Sequence, residues 1–209
     1  MNSQRVRIRF HKEGDLRQIS HRDLVRALQR LFRRAGLKLA VSQGFHPKPK
    51  MMFPSALGLG IGSLDELVEL ELAEPATAEP LQAKLAQHAI PGLVFKQVEL
   101  LPPGTPKARP CSATYEVPVP PERQAAAQAA VERLCSLASV PVHRPRRGKT
   151  LDVKTDLEDL RLEQGRLRMR LRIHNEGAIQ PREVLAALEL ADLELHGCTL
   201  TRTAMELAS

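Results

Sequence analysis

Gln4-Arg5-Val6-Arg7-Ile8-Arg9-Phe10 (QRVRIRF, residues 4–10) decides the fold. Val6, Ile8 and Phe10 fall on one side of an extended chain, and Arg5, Arg7 and Arg9 on the other. An apolar–polar period of two marks a half-buried strand, here with a basic outer face. Its apolar side must be covered, and the next segment supplies the cover. After a loop at residues 11–15, Ser20 opens a helix with Asp23 three residues on, a capping-box spacing with the shorter acid. Leu24, Leu28, Leu31, Phe32 and Ala35 form one apolar stripe. Arg22, Arg26, Arg30 and Arg33 recur on a different face, and Gly36 suits the position that ends the helix.

Working outward, residues 42–50 (SQGFHPKPK) hold a glycine and two prolines and read as a loop. Residues 51–62 (MMFPSALGLGIG) regain extended character, and residues 67–73 (LVELELA) alternate with Glu69 and Glu71 outward. Thr77 caps a second helix to about His88, and residues 93–101 (LVFKQVELL) are another strand. The order β-α-β-β-α-β is the ferredoxin-like arrangement. Residues 102–112, opening with Pro102-Pro103-Gly104-Thr105-Pro106, read as a linker. The pattern then restarts with a strand at 113–119 and an Ala-rich helix from Pro121 to about Ala138. Residues 140–155 read as a strand interrupted by a basic loop. A hairpin follows (157–163 and 166–173), then a short helix at 181–190 and a strand at 193–203. The expectation is an α+β chain of two tandem ferredoxin-like modules, residues 1–101 and 113–209, the second with an elaborated sheet. The repeat is architectural, without clear residue identity between the halves.

Of the 209 residues, 43% are apolar and only 3% aromatic, with no Trp and one Tyr, so the core must be aliphatic. Few rings also means few platforms on which single-stranded bases could stack. The net charge of +7 is unevenly placed: residues 1–50 carry +10, residues 51–101 carry −5 and the remainder +2. Such concentration points to a local anion-binding surface. No run approaches the roughly eighteen apolar residues of a membrane helix, and the N-terminus reads as a charged strand rather than a leader. Cys111, Cys135 and Cys198 are odd in number and far apart, which argues against a disulfide framework or a protein-supplied iron–sulfur cluster and fits a reducing cytoplasm. The histidines are scattered and no HExxH, GxSxG or carboxylate cluster is present, so no metal or cofactor is expected.

Four segments could carry chemistry. Arg22, Arg26, Arg30 and Arg33 suit a phosphate-contacting ridge, backed by Arg5, Arg7 and Arg9; the plainer reading is a solvated helix face. Ser42, Gln43, Gly44, His46, Lys48 and Lys50 suit an anion-binding loop stiffened by Pro47 and Pro49; the plainer reading is a rigid crossover with a packed Phe45. His21, at the first turn of its helix, could pair with His46 as acid and base for RNA cleavage, or simply help cap the helix. Arg144, Arg146, Arg147 and Lys149 form a basic loop, a contact element or a solvated one. Gly58, Gly60 and Gly62 lack the spacing and lysine of a phosphate-binding loop and fit close approach to a strand instead.

The stretches VRIRFHKEGDLRQISHRDLVRALQRLFRRAG, LAVSQGFHPKPKMMFPSALGLG and DELVELEL together resemble the radical-SAM-linked protein family, a domain of unknown function. The second half agrees more loosely, in DVKTDLEDLRLEQGRLRMRLRI and the helix after Gln180-Pro181. That family occurs beside, or fused to, a radical-SAM protein. This chain has no CxxxCxxC motif, so the resemblance implies a separate partner enzyme. The resulting expectation is a cytoplasmic accessory protein without activity of its own. It would bind RNA or present a substrate, in RNA modification or ribosome-related processing. Two tandem ferredoxin-like modules also resemble the repeat-processing endoribonucleases of CRISPR systems, which cut RNA without metal; the C-terminal glycine-rich loop of those enzymes is missing here. A third reading is a protein-interaction adaptor using Glu69, Glu71 and the helix at 121–138.

Overall fold

A computed structural model describes residues 3–145, 148–174 and 177–208. The chain divides into two compact α+β units, Met1–Arg109 and Pro110–Ser209.

In the first unit the elements follow as β1 (Gln4–Lys12), α1 (His21–Arg34), β2 (Met51–Met52), β3 (Gly62–Leu72), α2 (Ala78–Gln87) and β4 (Leu93–Leu100). β1 lies between β3 and β4, antiparallel to both, and β2 adds to the far edge of β3. Strand order is therefore β4-β1-β3-β2. The period-two alternation of β1 works as read: Val6, Ile8 and Phe10 are fully buried against Leu24, Leu28, Leu31 and Phe32 of α1 and Leu85 of α2. Phe10, Phe32 and Phe95 meet at ring-centroid distances of 6.2 and 6.5 Å, where a tilted pair gains beyond its buried area.

The other face of β1 departs from expectation. Arg5, Arg7 and Arg9 do not form a free basic surface, because β3 opposes them with acids. Arg7 stands directly across from Glu69. Glu69 is only 4% exposed rather than outward-facing. Its carboxylate accepts from Arg5 at 2.7 Å, from two nitrogens of Arg7 at 3.1 and 2.8 Å, and from the Ala108 backbone N–H at 3.1 Å. Arg9 pairs with Asp65 at 2.5 Å, and Arg5 also donates to the Thr105 carbonyl. The segment expected to be a linker is thus partly bound to the first unit through residues 105–108. The second unit's first strand already begins at Pro110.

Two further boundaries move. Within residues 51–62 only Met51–Met52 pairs as a strand, and β3 starts at Gly62, earlier than the alternation of 67–73 suggests. Gly58, Gly60 and Gly62 therefore share no strand face; Gly60 has φ of +82° and donates its N–H to the Arg17 carbonyl at 3.0 Å.

The second unit runs β5 (Pro110–Pro118), α3 (Pro121–Ser136), β6 (Pro141–Arg144), β7 (Lys149–Asp152), α4 (Val153–Asp156), β8 (Leu157–Glu163), β9 (Arg166–Arg172), α5 (Pro181–Ala187) and β10 (Thr201–Leu207). Its sheet has the order β10-β5-β9-β8, all antiparallel, and β6–β7 is a separate two-stranded ribbon. Val117, Leu167, Met169, Val184 and Leu185 are fully buried. The last strand lies later than its sequence pattern suggests. Residues Ala191–Glu194 instead form a 3-10 turn that buries Leu193, closed when the Cys198 N–H reaches the Leu193 carbonyl at 3.1 Å.

Gly92 shows how tightly the first unit is closed. Its φ is +81°, and an added Cβ would lie 2.3 Å from the Glu13 carbonyl oxygen. Both backbone strain and overlap with main chain oppose a side chain there. Gly92→Ala is expected to lower stability by about 2 kcal/mol or more in denaturant titration; a loss under half that would show that the Glu13 turn yields freely.

Candidate functional site

The arginine face follows from how α1 is anchored. Ser20 caps the helix by accepting the Asp23 N–H at 3.2 Å, and the Leu24–Phe32 stripe turns inward. Arg22, Arg26, Arg30 and Arg33 are then all exposed. Arg26 meets Asp23 at 3.5 Å in a solvent-exposed pair, which is worth little. Arg30 and Arg33 converge, together with Arg34, Ala27 and Ile90, on a hollow of about 420 Å³. No carboxylate lines it among the described residues. The period of the ridge does not single out Arg34, although its spacing of four from Arg30 places it beside the ridge. Arg33 and Arg34 also sit in the last helical turn, where cations favourably face the helix dipole.

The SQGFHPKPK segment is built as a protrusion. The edge of β3 is paired first by Lys38 and Ala40, then by Lys50, Met51 and Met52. Residues 41–49, between them, leave the sheet. Val41 bridges Pro49 at the root. Above it the Ser42 N–H donates to the Lys48 carbonyl at 2.8 Å, and the Lys48 N–H donates to Ser42 Oγ at 3.0 Å. Gly44 has φ of +126° at the turn. Gln43, Gly44, Phe45, His46 and Pro47 are exposed, with Phe45 at 102% and so not packed as the crossover reading had it. Lys50 is held by Glu71 at 2.7 Å, which leaves Lys48 as the cation on the loop without a carboxylate partner among the described residues. A second hollow of about 360 Å³ lies at the loop's root, where Arg5 and Lys50 are paired with Glu69 and Glu71 and the exposed Lys107 adds a further cation.

The two candidate histidines are not brought into contact. His21 is half-buried and meets Phe53 edge-on, with ring centroids 5.1 Å apart. His46 is exposed on the loop, and no hydrogen bond or ring contact joins it to His21 among the described residues.

The basic loop of the second unit also changes meaning. Arg144 donates to both Glu183 oxygens at 2.6 Å and to the Gly177 and Ala178 carbonyls at 3.1 and 2.9 Å. Its guanidinium is therefore committed internally and ties the β6–β7 ribbon to the start of α5. Lys149, opposite Arg144 in the ribbon, stays exposed; Arg146 and Arg147 lie outside the described residues. Glu183 in turn accepts the Gln180 N–H at 2.7 Å, and the Arg144 hydrogen bonds hold its carboxyl below the ordinary carboxylate range. Among the described residues no group of three or more His, Cys, Asp and Glu could hold a metal ion, and no helix is long and apolar enough to cross a membrane.

These features define an α+β protein of two units, the first bearing an arginine-lined hollow and a protruding basic loop. Residues 5–181 match the model of the family described as "Uncharacterized protein conserved in bacteria (DUF2344)", and the chain belongs to that family. No curated protein matches it. Among solved structures it is similar to an unknown protein from Galdieria sulphuraria, at 14% identity over 100% of both chains and a TM-score of 0.32. It is also similar to a "putative glycine cleavage system transcriptional repressor", at 7% identity over 100% of this chain and 99% of that one, with a TM-score of 0.25.

Arg144→Met strands the Glu183 carboxylate and should cost about 2 kcal/mol at neutral pH. Glu183 has a depressed folded-state pKa, so the pair's stabilisation is complete above the unfolded carboxylate pKa and disappears as pH falls through the folded one. The stability gap between wild type and variant should accordingly narrow in acid. A gap that stays constant from neutral pH down to about pH 3 would contradict the pairing, since ordinary Glu titrates near 4.3.

Proposed function

We propose that the chain is a cytoplasmic RNA-binding or substrate-presenting accessory protein that works with a separate radical-SAM enzyme. The arginine face of α1 makes the polyanion contact, and the 41–49 loop a second one. Each unit is read as a ferredoxin-like module, since in each four-stranded set (β1, β2, β3, β4 and, leaving aside the β6–β7 ribbon, β5, β8, β9, β10) the last strand flanks the first and the first flanks the third. The partner enzyme rests on the resemblance of the SHRDL and SQGFHPKPK stretches to the radical-SAM-linked family.

One observation carries the binding half: the basic charge of residues 1–50 separates into two populations. Arg5, Arg7, Arg9 and Lys50 are paired with Glu69, Asp65 and Glu71 inside the unit. Arg30, Arg33 and Arg34 face one hollow that no carboxylate lines among the described residues. Guanidinium groups so placed suit phosphate, which they bind through paired donors. Contacts of this kind release counterions and make affinity fall steeply with salt.

The test is a salt titration of binding to an unstructured RNA. The double reversal Arg30→Glu/Arg33→Glu should weaken binding at least about tenfold at 0.1 M salt and reduce the slope of log K against log salt by about 1.4, two phosphate contacts at ~0.7 each. Lys84→Glu on α2, an exposed charge that does not line the hollow, should change neither by more than about twofold. Equal effects of the two variants, or no salt-dependent binding by the wild type, would overturn the assignment.

A further inference from the structure

We infer that Phe45 is a base-stacking residue, so that the polyanion held by this protein is single-stranded nucleic acid. The inference rests on the polyanion reading above and narrows its ligand class. Of the five phenylalanines, Phe10, Phe32 and Phe95 are in the core and Phe53 is half-buried against His21. Tyr115 is buried at 9%. Phe45 alone presents a whole ring to solvent, in a chain otherwise sparing with aromatics.

The loop is constructed to hold that ring out. Its two flanks are pinned to one edge of β3, and its neck is closed by the reciprocal Ser42–Lys48 hydrogen bonds and the Val41–Pro49 bridge. Pro47 and Pro49 restrict the backbone after the ring. The neck is thus closed before binding, which lowers the ordering cost there and favours affinity.

The neighbours of the ring identify its partner. A protein-docking tip would surround an apolar anchor with further apolar contact area. Here the immediate exposed neighbours are Gln43, Gly44, His46, Pro47 and Lys48, the other exposed apolar side chain of the loop, Val41, sits at its root, and residues 42–50 contain no acid. An aromatic ring beside an unpaired cation is the chemistry that takes a base on the ring and its phosphate on the cation. Duplex bases are stacked on one another and offer no free face to such a ring, so a single strand is required.

The absence of tryptophan makes this directly readable: Phe45→Trp places the chain's sole indole at the loop tip. The full chain is titrated with a single-stranded oligoadenylate, an RNA duplex of equal length and inorganic polyphosphate. Single strand should quench the emission of the introduced indole, and polyphosphate should bind without quenching. Phe45→Ala should weaken single-strand binding about tenfold, the change that ~1.4 kcal/mol of lost stacking produces. It should leave polyphosphate and duplex affinity within about twofold and the salt slope unaltered, because no phosphate contact is removed. Since Phe45 buries no surface, both variants should match wild type in circular dichroism. If polyphosphate and RNA bind but Phe45→Ala changes nothing, the stacking role is overturned and the polyanion reading stands, with the tip assigned to a protein contact. If none of the three ligands binds the wild type, both readings fall.

Discussion

Glu69 takes a carboxylate nearly out of water, and the first unit is arranged around satisfying it. A buried carboxylate without partners would cost several kcal/mol. Here the charge is met by two guanidinium groups from β1 and one backbone N–H from the segment that follows β4. Each donor constrains something. The arginines reinforce the register between β1 and β3, in which Arg7 lies directly across from Glu69. The Ala108 N–H, with the Thr105 carbonyl accepting from Arg5, brings residues 105–108 back onto the first unit. A one-residue slip of β1 would turn these arginines into the core and Val6, Ile8 and Phe10 out of it, so charge pairing and apolar burial select the same alignment.

That pairing also decides where free positive charge remains. With the strand arginines paired to Glu69 and Asp65 of β3 and, for Arg7, Glu99 of β4, the outward basic character of residues 1–50 falls on α1 and the loop. On α1 the same leucines that bury the helix fix the arginines on its far side. On the loop, an interrupted edge strand ejects nine residues as a closed protrusion whose one lysine, Lys48, lacks an acid partner among the described residues, while Lys50 at its root is held by Glu71. The two candidate contact regions thus arise from different devices, one helical periodicity and the other a break in strand pairing.

In the second unit Arg144 and Glu183 play a comparable structural part. The pair joins the β6–β7 ribbon to the capped start of α5, and two further carbonyls take two of the guanidinium's three remaining donors. A residue that reads as a surface cation in a loop rich in arginine is therefore an internal strut. Membership of the DUF2344 family extends over residues 5–181, which includes the arginine face and the Arg144 side of this strut.

The local sequence determined the α+β class, the faces of β1 and α1, the Ser20 cap, the helix at Pro121 and the hairpin around Gln164-Gly165. All of these rest on periodicity, capping or turn chemistry among residues close in the chain. The arginine face was legible for the same reason: helical spacing alone puts Arg22, Arg26, Arg30 and Arg33 together. Tertiary structure alone decided which cations are spent. Arg5 and Arg7 meet Glu69 more than sixty residues away, and Arg144 meets Glu183 across thirty-nine. It also decided that Phe45 is exposed, because that depends on which edge of β3 the flanking segments pair with. Ion pairing and exposure are properties of approach in space, and a sequence pattern reports only what neighbours along the chain can do.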